Sequence, residues 1–249
     1  MAFTLISVVA PCLNEAKYLP TFLSSLTKQT LQPQEVIIVD GGSTDRSLQI
    51  IKNYKLQLNL NVVYCPHRNF GIIRNLGHWE ARSHIVFQCN TDNYFPSNLL
   101  EKIAVSFLDD PELIALTGRV VPMGTSLTAK VAYPAFDLLR WFFSRWKFRP
   151  SGSFIVYRNW VWYAVNGFPE VTVNEDGRFG QRIDGLAYPK RFDLKLWVGH
   201  YVKKFESMGG PKALLFYLYV LSNHFPMLSQ VLKPIENKAG RVFSGLQSF

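Results

Sequence analysis

Val86-Phe87-Gln88-Cys89-Asn90-Thr91-Asp92-Asn93-Tyr94-Phe95-Pro96 is an apolar strand that stops on a carboxylate flanked by amides and closes with an aromatic residue and a proline. A strand ending in a short acidic turn puts oxygen ligands at the carboxyl edge of a sheet, where open α/β sheets bind nucleotides. Hard cations such as Mg²⁺ or Mn²⁺ take oxygen ligands, typically one or two carboxylates with the balance from water and phosphate. Taken alone, the string also reads as a solvated turn rich in Asn and Asp. Its surroundings decide between the two.

Upstream and downstream of this turn, strand-like and helix-like stretches alternate. Residues 5–10, 34–39, 61–65, 84–89 and 113–121 read as strands. Helices are expected at 71–81 and 97–107, and after the first strand, where Leu19, Phe22, Leu23 and Leu26 fall at helical spacing. Ser43 or Thr44 is expected to cap the helix after the second strand, with Asp45 in its first turn. This alternation argues for a mostly parallel sheet covered by helices. Beyond residue 122 the pattern is less regular, with a helix expected at 125–146, a strand at 152–157 and a short helix at 175–183. Helical stretches are expected at 201–205 and 212–221. No Pro/Gly/Ser linker separates the halves.

With 249 residues, 48% of them hydrophobic, the chain can build a real core. A net charge of +9 favours polyanions: nucleotide diphosphates, anionic headgroups or nucleic acid. Nucleic acid fits poorly, because the basic residues follow a bulky aromatic stripe and no nucleic-acid motif occurs. Arg140, Arg145, Lys147, Arg149 and Arg158 are interleaved with Trp141, Phe142, Phe143, Trp146, Phe148, Trp160 and Trp162, a pattern suited to a membrane interface. Phe136, Leu139, Phe143 and Trp146 also recur at spacings of three and four, as in an ordinary packed helix. That stripe is therefore expected in the core. The cationic flanks, the stretch 212–221, and Lys203, Lys204 and Lys212 are expected to meet anionic lipid. Cys12, Cys65 and Cys89 form no CxxC pair and no zinc spacing, and read as buried free thiols of a reducing compartment. The chain opens on a strand rather than a signal peptide. Its longest apolar run, 213–221, falls short of the ~20 residues of a membrane span. A cytoplasmic protein, peripherally associated with the cytoplasmic membrane face, is the expectation.

Val8-Val9-Ala10-Pro11-Cys12-Leu13-Asn14-Glu15, Val39-Asp40-Gly41-Gly42-Ser43-Thr44-Asp45, Arg74-Asn75-Leu76-Gly77, Asn90-Thr91-Asp92-Asn93 and Asn174-Glu175-Asp176 stand in an order and spacing that resembles the family 2 glycosyltransferases of the GT-A fold. The resemblance runs over residues 5–183. It implies an α/β fold of the GT-A, Rossmann-like type, with a mostly parallel central sheet flanked by helices. Residues 1–190 would be the catalytic domain and 191–249 a helical C-terminal extension. The implied reaction is inverting transfer of a sugar from a nucleoside diphosphate (a UDP-sugar or GDP-mannose) to a hydroxyl of a glycan, lipid-linked or protein acceptor, with Mn²⁺ or Mg²⁺ bound. The alternative is a non-catalytic GT-A-like protein that binds a sugar or a partner.

Carried over residue by residue, the resemblance assigns Pro11, Asn14, Glu15 and Gly42 to the nucleotide pocket and Asp40 to the base or ribose. Arg74 would be a cationic contact on the phosphate side, Asn90 a hydrogen-bond partner of ribose or phosphate, and Asp92 the principal metal ligand. Asp176, beside Glu175, would be the catalytic base, since an acceptor hydroxyl needs a positioned carboxylate to take its proton. Gly41 and Asn90 stand where the family usually has acids, which leaves Asp40 and Asp92 as single anchors. Plainer roles stay open: Glu15, Asp45 and the Glu175-Asp176 pair as helix-starting acids, Arg74 in a salt bridge, and Gln181 and Arg182 on the acceptor side or at the surface. His200 reads as structural or as a neighbour of the metal.

Overall fold

A computed structural model of the chain describes residues 5–67, 69–171, 174–203, 212 and 215. Strands β1 (Ile6–Cys12), β2 (Glu35–Asp40), β3 (Leu60–Tyr64) and β4 (Ile85–Gln88) pair in parallel, side by side in the order β3-β2-β1-β4. β2 is buried along its whole length, as a strand covered on both faces must be. Val8, Ala10, Val36 and Ile38 point into one apolar layer and Val9, Ile37 and Val39 into the other, the period-two alternation of a strand. Helices α1 (Leu19–Thr27), α2 (Ser47–Asn53), α4 (Leu99–Asp109) and α5 (Leu127–Phe143) contribute to the first layer; α3 (Phe70–Trp79), α6 (Asn159–Ala164) and α7 (Glu175–Asp184) contribute to the second.

Local chemistry fixes the helix starts. Asn69 caps α3 by accepting from Ile72 N at 3.3 Å, and Ser126 caps α5 by accepting from Ala129 N at 3.3 Å. The cap expected from Ser43 or Thr44 is not made. α2 begins later, and Asp45 Oδ1 accepts from Ser47 N at 2.9 Å instead. Gly77 lets α3 press onto the sheet, because a Cβ there would overlap the side chains of Val9 and Val39.

The second half of the sheet is mixed. β7 (Ile155–Arg158) runs antiparallel to β4, β6 (Ala115–Met123) antiparallel to β7, and β8 (Lys190–Tyr201) parallel to β6. A two-residue strand, β5 (Asn93–Tyr94), closes the edge antiparallel to β8, giving the order β3-β2-β1-β4-β7-β6-β8-β5. The sheet therefore runs past the boundary expected at residue 190, and residues 191–201 are strand rather than the start of a helical extension. The pairing shifts register between Gly118 and Arg119, so that Asp193 and Trp197 face successive residues of β6. Such a bulge breaks the alternation that would have marked β8 in the sequence. Tyr201 ends β8, and most of the helical stretches expected at 201–205 and 212–221 lies outside the described residues.

The aromatic and basic segment also departs from expectation. Arg140, Arg149 and Arg158 turn inward: Arg140 donates to Gly118 O at 2.8 Å, Arg149 to Asp184 Oδ2 at 2.7 Å and Arg158 to Leu113 O and Pro111 O, both at 2.8 Å. Leu139 and Trp146, expected in the core, are exposed. The cause is the inner face of α5, where Asp137 accepts from Val120 N at 2.8 Å and pairs with Arg140 at 3.6 Å, so that Leu139 turns outward while Phe136 packs on the first layer as expected. Among the described residues no helix is long and apolar enough to cross a membrane, and all three cysteines are buried and free.

Candidate active site

Because β1, β2 and β4 are parallel, the loops that follow them open at one edge of the sheet. Asn14, at φ 54°, stitches the first loop to the second. Its Oδ1 accepts from Thr44 N at 2.8 Å and Asp45 N at 3.3 Å, while its own N–H donates to Ser43 Oγ at 2.9 Å. Asp40 is buried, and its carboxylate accepts from Gly42 N at 3.0 Å and Ser43 N at 3.1 Å. Gly42 sits at φ 90°, a left-handed turn that favours glycine. Pro11 O accepts from Thr91 Oγ1 at 3.0 Å, which ties the first loop to the acidic turn. Asn14 and Asp40 thus shape these loops directly.

Strand pairing completes the acidic turn. In the β5–β8 ladder His200 stands opposite Asn93, and Tyr201 N donates to Asp92 O at 3.1 Å. His200 Nδ1 lies 3.3 Å from Asp92 Oδ1, 3.2 Å from Asn93 Oδ1 and 3.3 Å from Ser153 Oγ. Lys203, two residues past the strand, reaches back with its ammonium 2.8 Å from Asp92 Oδ2 and 2.5 Å from Glu15 Oε1. Burial alone would raise the Asp92 carboxyl, but His200 and Lys203 outweigh it and hold the group well below the usual carboxylate range. At Glu15 burial prevails over Lys203 and the carboxyl is raised. Lys203 was expected to face lipid. It is instead the counter-cation of the site.

The donors present suit a divalent cation only in part. Asp92 Oδ1 is buried without a hydrogen-bond partner and faces the His200 imidazole; its carboxylate is the ligand type that Mn²⁺ or Mg²⁺ takes, whereas an imidazole is not. Asn90 Oδ1 is taken by Arg74 Nη2 at 3.1 Å, and among the described residues no group of three or more His, Cys, Asp or Glu forms a ligand set. Such a site fits a cation that arrives with most of its ligands on a diphosphate.

Across the cleft, α7 carries the acid pair. Glu175 is buried against Arg74, Oε1 to Nε at 3.0 Å, and the same guanidinium donates to Cys89 O at 3.3 Å and Gly152 O at 3.1 Å. Burial and the neighbouring Asp176 raise the Glu175 carboxyl. Arg74 is only 2% exposed and braces the acidic turn from within, with Glu175 as its counter-ion. Asp176 is half-buried; its Oδ2 accepts from Gly152 N at 2.5 Å and its Oδ1 from Gly177 N at 2.8 Å. The next residue, Ser153, receives Asn90 Nδ2 on its hydroxyl at 3.2 Å and Asn93 Nδ2 on its carbonyl at 2.7 Å. Beside the start of α7 a cavity of about 560 Å³ is lined by Pro169, Asn174, Arg178, Gln181 and Arg182. Arg182 itself is bound to Asn166 O at 2.9 Å and Gly167 O at 2.8 Å, and Gln181 and Arg178 are exposed beside it.

The model of the family described as glycosyl transferase family 2 matches residues 7–169, a span that holds the loops after β1 and β2, the acidic turn and Arg74. The chain belongs to glycosyl transferase family 2. It is 35% identical over 127 residues to the poly(ribitol-phosphate) beta-N-acetylglucosaminyltransferase TarS of Staphylococcus aureus, covering 47% of this chain and 22% of TarS. It is 30% identical over 156 residues to a PGL/p-HBAD biosynthesis glycosyltransferase of Mycobacterium tuberculosis, covering 58% of this chain and 57% of that one. This family 2 chain therefore spans well under two thirds of those relatives. Among solved structures it resembles the mannosyltransferase PcManGT of Pyrobaculum calidifontis in complex with GDP-Man and Mn²⁺, with TM-score 0.71, 20% identity and coverage of 94% of this chain and 69% of that one. It also resembles S. aureus TarS, with TM-score 0.63, 21% identity and coverage of 90% and 43%. These likenesses establish the GT-A fold for this family 2 member.

Sequence reading did not assign Gly152, Ser153 or Lys203 to the site. Ser151-Gly152-Ser153 carried a signal, a small-residue turn ahead of a strand, but its partners are 24 to 78 residues distant.

Proposed function

We propose that this family 2 member is an inverting glycosyltransferase that moves a sugar from a nucleoside diphosphate to an acceptor hydroxyl. The observation that carries the reading is the Gly152–Ser153 turn. Gly152 N holds Asp176 at 2.5 Å, and Ser153 Oγ stands 3.3 Å from His200 beside Asp92, so a base and a diphosphate site flank one turn. Asp176, oriented by two backbone N–H groups, takes the acceptor proton as the new bond forms. The loops of Pro11, Asn14, Glu15, Asp40 and Gly42 form the nucleoside side, with Asn90 held inward by Arg74. Lys203 lies where a leaving diphosphate gains negative charge and stabilises it. Asp92 would hold a Mn²⁺ or Mg²⁺ ion together with the diphosphate, and that ion would supply further charge stabilisation.

The donor is a UDP-sugar or GDP-mannose, a choice supported by neighbours solved with UDP, UDP-GlcNAc and GDP-Man. The acceptor is a glycan or a lipid-linked molecule, met at the cytoplasmic membrane face. Calorimetric titration of UDP and GDP, with and without Mn²⁺, on wild type and Asp92→Ala tests this. Metal-enhanced binding of one nucleotide, lost in the variant, is expected. Absence of binding by both nucleotides under every condition would rule out the donor assignment.

A further inference from the structure

Helix α5 carries a polar pair on its inner face and an apolar row on its outer one. Its inner face buries Asp137 and Arg140 together with Ala129, Ala132 and Tyr133. Its outer face presents Leu127 at 77% exposure, Val131 at 74%, Leu138 at 59% and Phe142 at 44%, followed by Trp146 at 66%. Positions 127, 131, 138 and 142 are separated by four, seven and four residues, which places them in one row along a helix of 3.6 residues per turn. Scattered apolar residues are normal on a surface, but a continuous row of this kind marks a docking face.

The charge around the row is one-sided. Lys130, Arg145 and Lys147 are exposed on this helix and its C-terminal end. Between residues 113 and 169 the sequence has a single acid, Asp137, and it is buried. The Arg145 guanidinium stacks 5.0 Å from the Trp141 ring and 6.0 Å from the Phe142 ring, the aromatic-and-cation combination that settles at headgroup level. Two copies of this face laid together would bring like charges together, which opposes self-association through it.

We propose that the outer face of α5 docks on an anionic lipid bilayer, with Leu127, Val131, Leu138 and Phe142 at the acyl boundary and Lys130, Arg145 and Lys147 among the phosphates. On the inner side of the same helix the Tyr133 ring lies 6.2 Å from the His200 ring. A docked α5 therefore holds the candidate active site about one helix diameter (~10 Å) from the membrane, within reach of a lipid-linked acceptor. The surface stands on its own geometry and does not depend on the donor chemistry.

Sedimentation of the full chain with phosphatidylcholine vesicles, with and without phosphatidylglycerol, tests the proposal. Binding is expected to the anionic vesicles and to weaken with salt. Leu138→Glu with Phe142→Glu should weaken it by about tenfold or more, as should the triple change of Lys130, Arg145 and Lys147 to Glu. Nucleotide titration on the same variants, expected to match wild type, shows that they fold and keeps this test separate from the donor reading. Failure of the wild-type chain to bind anionic vesicles, or undiminished binding by the variants, overturns the proposal. So does a dimer in analytical ultracentrifugation that Leu138→Glu dissociates without any vesicle binding, which would give the face to a second copy.

Discussion

Arg74 Nε stands 3.0 Å from Glu175 Oε1, a buried ion pair joining residues 101 apart in the chain. The planar guanidinium also reaches Cys89 O, Asn90 Oδ1 and Gly152 O, so it fastens the acidic turn, the Gly152 turn and α7 at once. A lysine ammonium has no fork with which to meet these four acceptors together. Arg74→Met, which leaves Glu175 buried without a counter-charge, is expected to destabilise the fold by about 3–5 kcal/mol, the usual cost of stranding one member of a buried pair. Denaturant midpoints equal to those of wild type would show that the brace is dispensable.

Lys203 competes for the carboxylate that a divalent cation would use, since its ammonium sits 2.8 Å from Asp92 Oδ2. A unit charge about 4 Å away is worth about 4 kcal/mol at an effective dielectric of about 20. Lys203→Met should therefore tighten Mn²⁺ binding to the nucleotide-free protein by roughly tenfold or more. Free Mn²⁺ counted by electron paramagnetic resonance reads this directly, and an affinity unchanged from wild type would remove the competition.

Gly152→Ala places a Cβ 2.7 Å from Arg74 Nη2 and 3.3 Å from Asp176 Oδ2. Arg74 is locked by its partners and cannot withdraw, so the turn must move instead. The expected loss is about 1–3 kcal/mol of stability, as for other overpacked sites, with a larger fall in transfer than in nucleotide affinity. A variant with full transfer activity would show that the turn does not position Asp176.

His78 introduces a pH dependence of stability. Its ring is stacked 4.3 Å from Trp162, and Nδ1 lies 3.0 Å from the Tyr157 hydroxyl. Burial pulls its pKa down to about 4. Unfolded histidine titrates near 6.5, so between these values the unfolded chain binds the extra proton. The stability is complete above about pH 6.5 and is lost as pH falls toward 4, by about 2 kcal/mol between pH 7 and pH 5. His78→Gln should flatten that slope, and an unaltered slope in the variant would assign it to other groups.

The α/β layering was legible along the chain because the central parallel strands, β2 among them, are buried on both faces and helices such as α1 show one apolar side. Asp92 stood out at the end of an apolar strand, and Asp176 through the resemblance of the surrounding motifs to the family. β8 did not stand out, because its register shift against Gly118 and Arg119 erases the period-two signal. Leu139 and Trp146 were misplaced in the core for a related reason: helical spacing reveals a stripe but not which side of the helix meets the sheet. By itself the sequence determined the order of the elements and the polar residues at their ends, since both follow from propensities acting within a few residues. Only the tertiary structure decided that His200 and Lys203 meet Asp92, that Arg74 turns inward to Glu175, and that Asp137 rather than Leu138 faces the sheet. Those outcomes depend on which distant segments lie alongside one another once the sheet has closed on β5, and long-range pairing leaves no mark in local spacing.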